Sequence, residues 1–190
     1  MLNTSIPVPY DFTFFTLPGD ESTPIQLLSP IGGDTVDETL FWIPSIRTLI
    51  AGDSVSGHET HMWLADMLTP ALTSSWLATM DFIEYLKPEV IIAGHAVTQS
   101  GITAPQNFQY SRSYIEFWQK NIESKGVDFF TPQQIVSEFN KTFPRLLERS
   151  GSAGILNITA QQFGRNGTRQ DIGVDLAAYV DVKILTGWII

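Results

Sequence analysis

The stretch Arg47–Asp53 has the sequence RTLIAGD, and the stretch Glu89–His95, further along the chain, has the sequence EVIIAGH. Each is a short, β-branched apolar run that ends in glycine, which is the pattern of a buried strand. Each continues into a metal-capable side chain, the carboxylate of Asp53 in one case and the imidazole of His95 in the other. If the two strands are neighbours, these side chains can share one cation. Gly-Asp and Gly-His are also ordinary turn dipeptides, so each motif alone is equally consistent with a plain strand end.

The region before Asp53 is predicted to form strands. Residues 12–17 and 25–28 form two short strands separated by a Pro-Gly-Asp turn. Residues 38–43 and 46–52 form a hairpin around Pro-Ser. The second strand of this hairpin leads directly to Asp53.

The region after Asp53 is predicted to form three helices, over residues 70–86, 106–124 and 132–142. The first has an apolar stripe at helical spacing and begins with Thr-Pro, a favourable N-cap followed by proline in the first turn. The third begins with Thr131 and has Gln134 three residues later, which is the spacing of a capping box. Strands and helices together predict an α/β fold.

The order of motifs between the two strand ends resembles the C-terminal half of the metallo-β-lactamase fold. Residues 56–66 have the sequence SGHETHMWLAD, residues 69–77 have TPALTSSWL, and residues 81–88 have DFIEYLKP. In that family a Gly-Asp strand end is followed by a Trp-Leu-Ala-Asp-like loop, a helix with Trp-Leu, a Lys-Pro strand entry and Gly-His. The resemblance covers roughly residues 10–150 and implies an α/β (α+β), metallo-β-lactamase-like αββα sandwich.

The resemblance also implies a metal site. It makes Asp53 the residue that bridges two metal ions and His95 a ligand of the second ion. Asp34 occupies the position of a further family histidine, that of a Pro-Gly-His-Thr turn. His61 lies in a loop that covers the metal cleft in similar proteins, where it is a candidate to contact substrate.

One family signature is absent. The chain has three histidines, and none has the spacing of the His-x-His-x-Asp-His motif. That motif precedes the Gly-Asp strand in the family, so the sandwich is expected to be truncated at its N-terminal half. A catalytic zinc usually has about three protein ligands and an open position. Asp53, His95 and Asp34 supply at most one weak site for zinc or another divalent metal such as iron or manganese, and a chain that holds no metal by itself is the open alternative.

The resulting expectation is a metal-dependent hydrolase of a small-molecule ester, thioester or amide, impaired or inactive as this chain alone. Three explanations remain open: a fragment or incomplete product of a full hydrolase, a degenerate non-catalytic member with a binding or partner role, or a site whose missing ligands come from another chain. A half-sandwich also leaves one sheet face uncovered, which favours a homo-oligomer or a complementing chain.

Composition limits the partners. The net charge is −9 with 11 lysines and arginines in 190 residues, and no basic cluster is present to neutralise phosphates, so nucleic acid is not an expected partner. The start of the chain does not have the pattern of a secretory signal, and no apolar run reaches the length of about 18 residues that spans a bilayer. With no cysteine, these features favour a cytoplasmic protein without a membrane partner.

The division into domains is predicted from a change in character near residue 150. Residues 1–150 form the partial metallo-β-lactamase-like domain. Residues 151–190 are a tail without an assigned role, since Ser150–Gly154 is rich in serine and glycine and resembles a linker.

Overall fold

The computed structural model of the chain describes residues 12–144, 146 and 152–169. Within these ranges the backbone forms one five-stranded sheet with the spatial order β1-β2-β3-β4-β5. Neighbouring strands are antiparallel from β1 to β4, and β5 is parallel to β4. The strands are β1 (Phe14–Leu17), β2 (Asp20–Ile31), β3 (Glu38–Ile43), β4 (Thr48–Gly52) and β5 (Val90–Ala93).

The predicted strands are confirmed in position, although β1 and β4 each start two residues later than predicted, and two further differences appear. β2 is longer than predicted because it pairs with β1 on one side and with β3 on the other. β5 is less buried than expected: Val90 is exposed, and within the described sheet β5 is an edge strand with β4 as its neighbour. A β-branched apolar run therefore marked the strand correctly without showing how much of it is covered.

The predicted helices are confirmed in position. They are α1 (Pro70–Leu86), α2 (Gln106–Phe117) and α3 (Pro132–Thr142). The second differs in detail, because α2 continues as a wider π-helical turn (Trp118–Ile122) and a 3₁₀ turn (Glu123–Lys125) instead of a regular helix to residue 124. Further short 3₁₀ turns lie at Pro44–Ile46 and Ser100–Thr103.

Both predicted N-caps form. Thr69 Oγ1 accepts a hydrogen bond from the backbone N–H of Leu72. At the start of α3 the capping box is complete: Gln134 N donates to Thr131 Oγ1 at 3.3 Å, and Thr131 N donates to Gln134 Oε1 at 2.8 Å. Each cap satisfies backbone donors that the first helical turn leaves without an intrahelical partner.

The core lies between the sheet and the helices. Leu40 and Leu49 of the sheet are fully buried against the apolar faces of the helices, as are Trp76 in α1 and Tyr114 in α2. Side chains alternate between the two faces of a strand, so Phe41 next to Leu40 lies on the opposite face, where it is half-buried. The helical layer therefore covers one face of the sheet.

A further helix, α4 (Ala153–Phe163), begins within the predicted linker of residues 150–154. Leu156, Ala160 and Phe163 are buried in the same core, and the rings of Phe163 and Trp118 have centroids 4.9 Å apart. The spacing of these three residues is the helical signal that the serine–glycine composition of the preceding segment obscured. The domain boundary at residue 150 stays a prediction, and most of the predicted tail, residues 170–190, lies outside the described residues.

No helix in the described ranges is both long enough and apolar enough to cross a membrane.

Leu156→Ala tests whether α4 belongs to the core. Leu156 is fully buried, so its truncation is expected to reduce the free energy of unfolding by about 2–5 kcal/mol. Leu17→Ala is the matched control, because the same change at this exposed residue is expected to cost no more than about 0.5 kcal/mol. Denaturant unfolding measures both, and equal losses for the two variants would contradict the packing of α4.

Candidate functional site

The ends of β4 and β5 meet at one point. The backbone N–H of Gly94 donates to the carbonyl of Gly52 at 2.7 Å and to that of Val55 at 3.1 Å. This contact brings Asp53 Oδ1 and His95 Nδ1 to 2.6 Å from each other. The two side chains are 34% and 64% exposed, so the pair faces solvent. The sequence-based expectation that the two strand ends are neighbours is confirmed.

Glycine is required on both sides of this meeting point. Gly52 has φ +52°, a left-handed backbone conformation that residues with a side chain rarely adopt. A Cβ on Gly94 would collide with Asp53 Oδ1 and would lie 2.7 Å from the carbonyl carbon of Gly52. The glycines that mark the strand ends in the sequence therefore set the distance between Asp53 and His95.

All four candidate site residues line one pocket of about 370 Å³: Asp34, Asp53, His61 and His95. Trp63, Ser152 and Ile155 also line it. Ile155 belongs to α4, and Ser152 immediately precedes that helix, so the segment after residue 150 contributes directly to this site. The functional roles of the four residues remain predictions.

Asp34 is a partly buried carboxyl group in an acidic neighbourhood. Desolvation is the largest cause that raises its pKa, to about 7, and the negative charges of Glu38, Asp53 and Asp66 raise it further. The positive charge of a protonated His95 lowers the pKa of Asp34. At neutral pH this carboxyl group is therefore a mixture of its charged and neutral forms.

Glu38, at the start of β3, is a supporting residue that the sequence did not reveal. Its Oε2 accepts hydrogen bonds from Ser54 Oγ at 2.6 Å and from Ser54 N at 3.2 Å. These bonds fix the backbone immediately after Asp53. Burial raises the pKa of Glu38, opposed by the Ser54 hydrogen bonds. The contact crosses the β3–β4 hairpin, from the first residue of β3 to the segment just after β4.

His61 is buried, with 2% of its surface exposed. Its backbone N–H donates to Ser152 Oγ at 2.9 Å, and its Nδ1 lies 3.0 Å from Tyr114 Oη. Burial lowers the pKa of the ring to about 4, so the imidazole is neutral at physiological pH. Among the described residues, Nε2 is buried without a hydrogen-bond partner.

The loop that contains His61 is fixed by a contact within the loop and by a contact from α2. Trp63 Nε1 donates to Asp66 Oδ2 at 2.7 Å, and the Tyr110 hydroxyl donates to the carbonyl of Thr60. His58 does not line the pocket. It lies instead beside Asn107 at the start of α2, with its Nδ1 3.0 Å from Asn107 Oδ1.

The donor types at the strand ends suit a divalent cation, but their number does not. A carboxylate and an imidazole are ordinary zinc ligands, and a structural or catalytic zinc site needs at least one more. Across residues 12–144, 146 and 152–169, no group of three or more histidine, aspartate or glutamate side chains is arranged to hold a metal ion. Asp53 and His95 instead contact each other, so these residues do not form a complete metal site by themselves.

Comparison with known proteins gives partial similarities. No family model and no curated protein matches the chain. Among solved structures, it is similar to a metallo-β-lactamase from Pontibacter korlensis, with 18% identity over 55% of this chain and 45% of that chain, and a TM-score of 0.39. It is similar to the metallo-β-lactamase DIM-1, with 21% identity, the same two coverages and a TM-score of 0.39.

A third solved structure is similar over more of this chain. The sec-alkylsulfatase Pisa1 from Pseudomonas sp. has 14% identity over 92% of this chain and 28% of that chain, with a TM-score of 0.37. The chain thus spans less than half the length of each of these three proteins. The likeness is one of fold alone, and nothing about function follows from it.

Asp34→Asn is expected to stabilise the protein in a pH-dependent way. The ordinary pKa of an aspartate is 3.8, and that of Asp34 in the fold is about 7. The stability that the fold gains from keeping this carboxyl group neutral is therefore fully present below about pH 4 and is lost as the pH rises through 7. Asparagine removes the cost of the buried charge. The variant should therefore melt at a higher temperature than the wild type at pH 8, and this difference should shrink toward zero near pH 4.

Asp37→Asn is the matched control, because Asp37 is a carboxylate of the same loop. Thermal unfolding at several pH values measures both variants. If Asp34→Asn gains no more stability at pH 8 than Asp37→Asn, the burial of Asp34 is not as described.

Proposed function

We propose that this chain takes part in the hydrolysis of a small-molecule ester, thioester or amide. The observation that carries the proposal is the Asp53–His95 pair, 2.6 Å apart, on the wall of a pocket of about 370 Å³. The volume lies in the range of pockets that bind small molecules. The resemblance of the motif order to metallo-β-lactamases gives the reaction class.

The pair supports acid–base chemistry by itself. A carboxylate can only accept hydrogen bonds, so the short contact requires His95 to donate its Nδ1–H to Asp53. A neutral His95 then has a free lone pair on Nε2, which can accept a proton from water as that water attacks a carbonyl carbon. The same proton can pass from Nε2 to the leaving oxygen, sulfur or nitrogen as its bond to the carbonyl carbon breaks. Because the imidazole is largely exposed, we expect a weak general base and a low rate.

A divalent metal can be part of the proposed site only if further ligands are supplied from outside the described residues. Asp53 and His95 supply two ligands for zinc, iron or manganese, and Asp34 is the further carboxyl group on the same pocket. At least one additional ligand would have to come from residues outside the described ranges, from a second copy, or from a complementing chain. We assign no step of the reaction to a metal, and we expect the chain alone to be impaired.

A second candidate function is a non-catalytic binding or partner protein. The same contact favours it, because Asp53 and His95 satisfy each other as hydrogen-bond partners. This candidate predicts small-molecule binding without turnover.

His95→Ala distinguishes these functions, with His58→Ala as the matched control. His58 carries the same side chain but lies outside the pocket. If the hydrolase proposal is correct, the purified chain should cleave at least one compound in a panel of aryl esters, thioesters and amides. His95→Ala should lower that rate by about 10²-fold or more, and His58→Ala should leave it within about twofold.

Elemental analysis of the same three proteins addresses the metal. Bound zinc, iron or manganese that His95→Ala loses and His58→Ala retains would show that further ligands complete the site. Equal metal content in all three, together with no cleavage above buffer, would overturn the hydrolase proposal and favour the binding protein.

A further inference from the structure

We propose that His61 donates a hydrogen bond from Nε2 to an uncharged carbonyl oxygen of the small molecule that the pocket binds. The choice of a carbonyl compound rests on the proposed function. The role of His61 as a donor rests on its own surroundings. This makes His61 a residue that recognises the ligand, in addition to the Asp53–His95 pair.

Tyr114 determines which ring nitrogen of His61 carries the hydrogen. Tyr114 is fully buried, and its hydroxyl is a donor that needs an acceptor. Among the described residues the hydrogen-bond partner of this hydroxyl is Nδ1 of His61 at 3.0 Å, so the hydroxyl hydrogen of Tyr114 points to Nδ1. Nδ1 is therefore an acceptor, and the neutral ring carries its hydrogen on Nε2.

This hydrogen lacks an acceptor in the described part of the protein. His61 lines the pocket, and only 2% of its surface is exposed. Its Nε2 has no partner there, and a buried donor without a partner is costly in a folded protein. A ligand oxygen in the pocket would satisfy it.

The charges around the pocket favour an uncharged oxygen over an anionic one. Two of the lining residues, Asp34 and Asp53, carry carboxyl groups, of which Asp34 is partly charged at neutral pH, and Asp66 adds negative charge near Asp34. His61 itself is neutral and cannot compensate for a ligand anion. An ester, thioester or amide carbonyl supplies an acceptor without adding charge.

The first test is the tautomer of His61 in the unaltered protein. Long-range ¹H–¹⁵N NMR of the imidazole rings distinguishes Nε2–H from Nδ1–H through the ¹⁵N shifts. We expect a neutral Nε2–H ring from pH 6 to pH 8. An Nδ1–H ring, or a protonated ring in this range, would overturn the proposal without any variant or ligand.

The second test is binding of acetanilide, a neutral amide, against N-ethylaniline, which has the same skeleton without the carbonyl oxygen. Titration should shift the Nε2 resonance of His61 with acetanilide and not with N-ethylaniline. His61→Gln places an amide N–H near the position of Nε2 and should keep the dissociation constant within about threefold. His61→Asn reaches only the position of Nδ1 and should weaken binding about tenfold.

Backbone amide spectra of both variants verify the fold before binding is compared. Equal binding of the two compounds, equal effects of the two substitutions, or no acetanilide binding to the wild type would each contradict the proposal. Neither the tautomer experiment nor the binding experiment needs turnover. A failure to hydrolyse substrates would therefore refute the proposed hydrolase function without affecting the test of His61 as a hydrogen-bond donor.

Discussion

The close approach of two parallel strand ends is the constraint on which the rest of the site depends. The Gly94 N–H bonds to the Gly52 carbonyl, and the space between them has no room for a side chain at position 94. This packing holds Asp53 and His95 in direct contact. The crossover through α1 makes the arrangement possible, because parallel neighbours need a long connection and α1 provides it on the face of the sheet that carries the core.

The site gathers carboxyl groups that would repel each other if all were charged. Burial raises the pKa of both Glu38 and Asp34. Hydrogen bonds from Ser54 oppose the rise at Glu38, whereas the pKa of Asp34 reaches about 7. Asp53 is held by His95. The pocket thus combines a titrating carboxyl group, an Asp–His pair and the neutral imidazole of His61. Such a set suits recognition of a polar, uncharged small molecule better than recognition of an anion.

Local signals in the sequence predicted much of the scaffold. Thr69 and Thr131 marked the helix starts because capping is a local interaction, and the glycines marked the strand ends because the required backbone conformation and close approach leave no alternative. The motif order also placed the four candidate residues in one region of the fold. Their common pocket agrees with that placement, whereas their roles were not decided by it.

What the sequence did not reveal depends on contacts between distant segments. The hydrogen bond from His61 N to Ser152 and the packing of α4 each join parts of the chain that no periodicity connects. The exposure of β5 similarly depends on which strands lie beside it. Long-range geometry of this kind follows from the assembled core and has no signature in a single segment.

The most direct test of the central claim is the state of the His95 ring, measured by long-range ¹H–¹⁵N NMR at a pH where the imidazole is neutral, in the wild type and in Asp53→Asn. If the strand ends hold the two side chains together, the wild type will show an Nδ1–H ring, and Asp53→Asn will shift the Nδ1 resonance while the backbone spectrum away from the site stays unchanged. A His95 ring in the Nε2–H form, or one that does not respond to Asp53→Asn, would show that the pair does not exist in solution and would remove the basis of the proposed site.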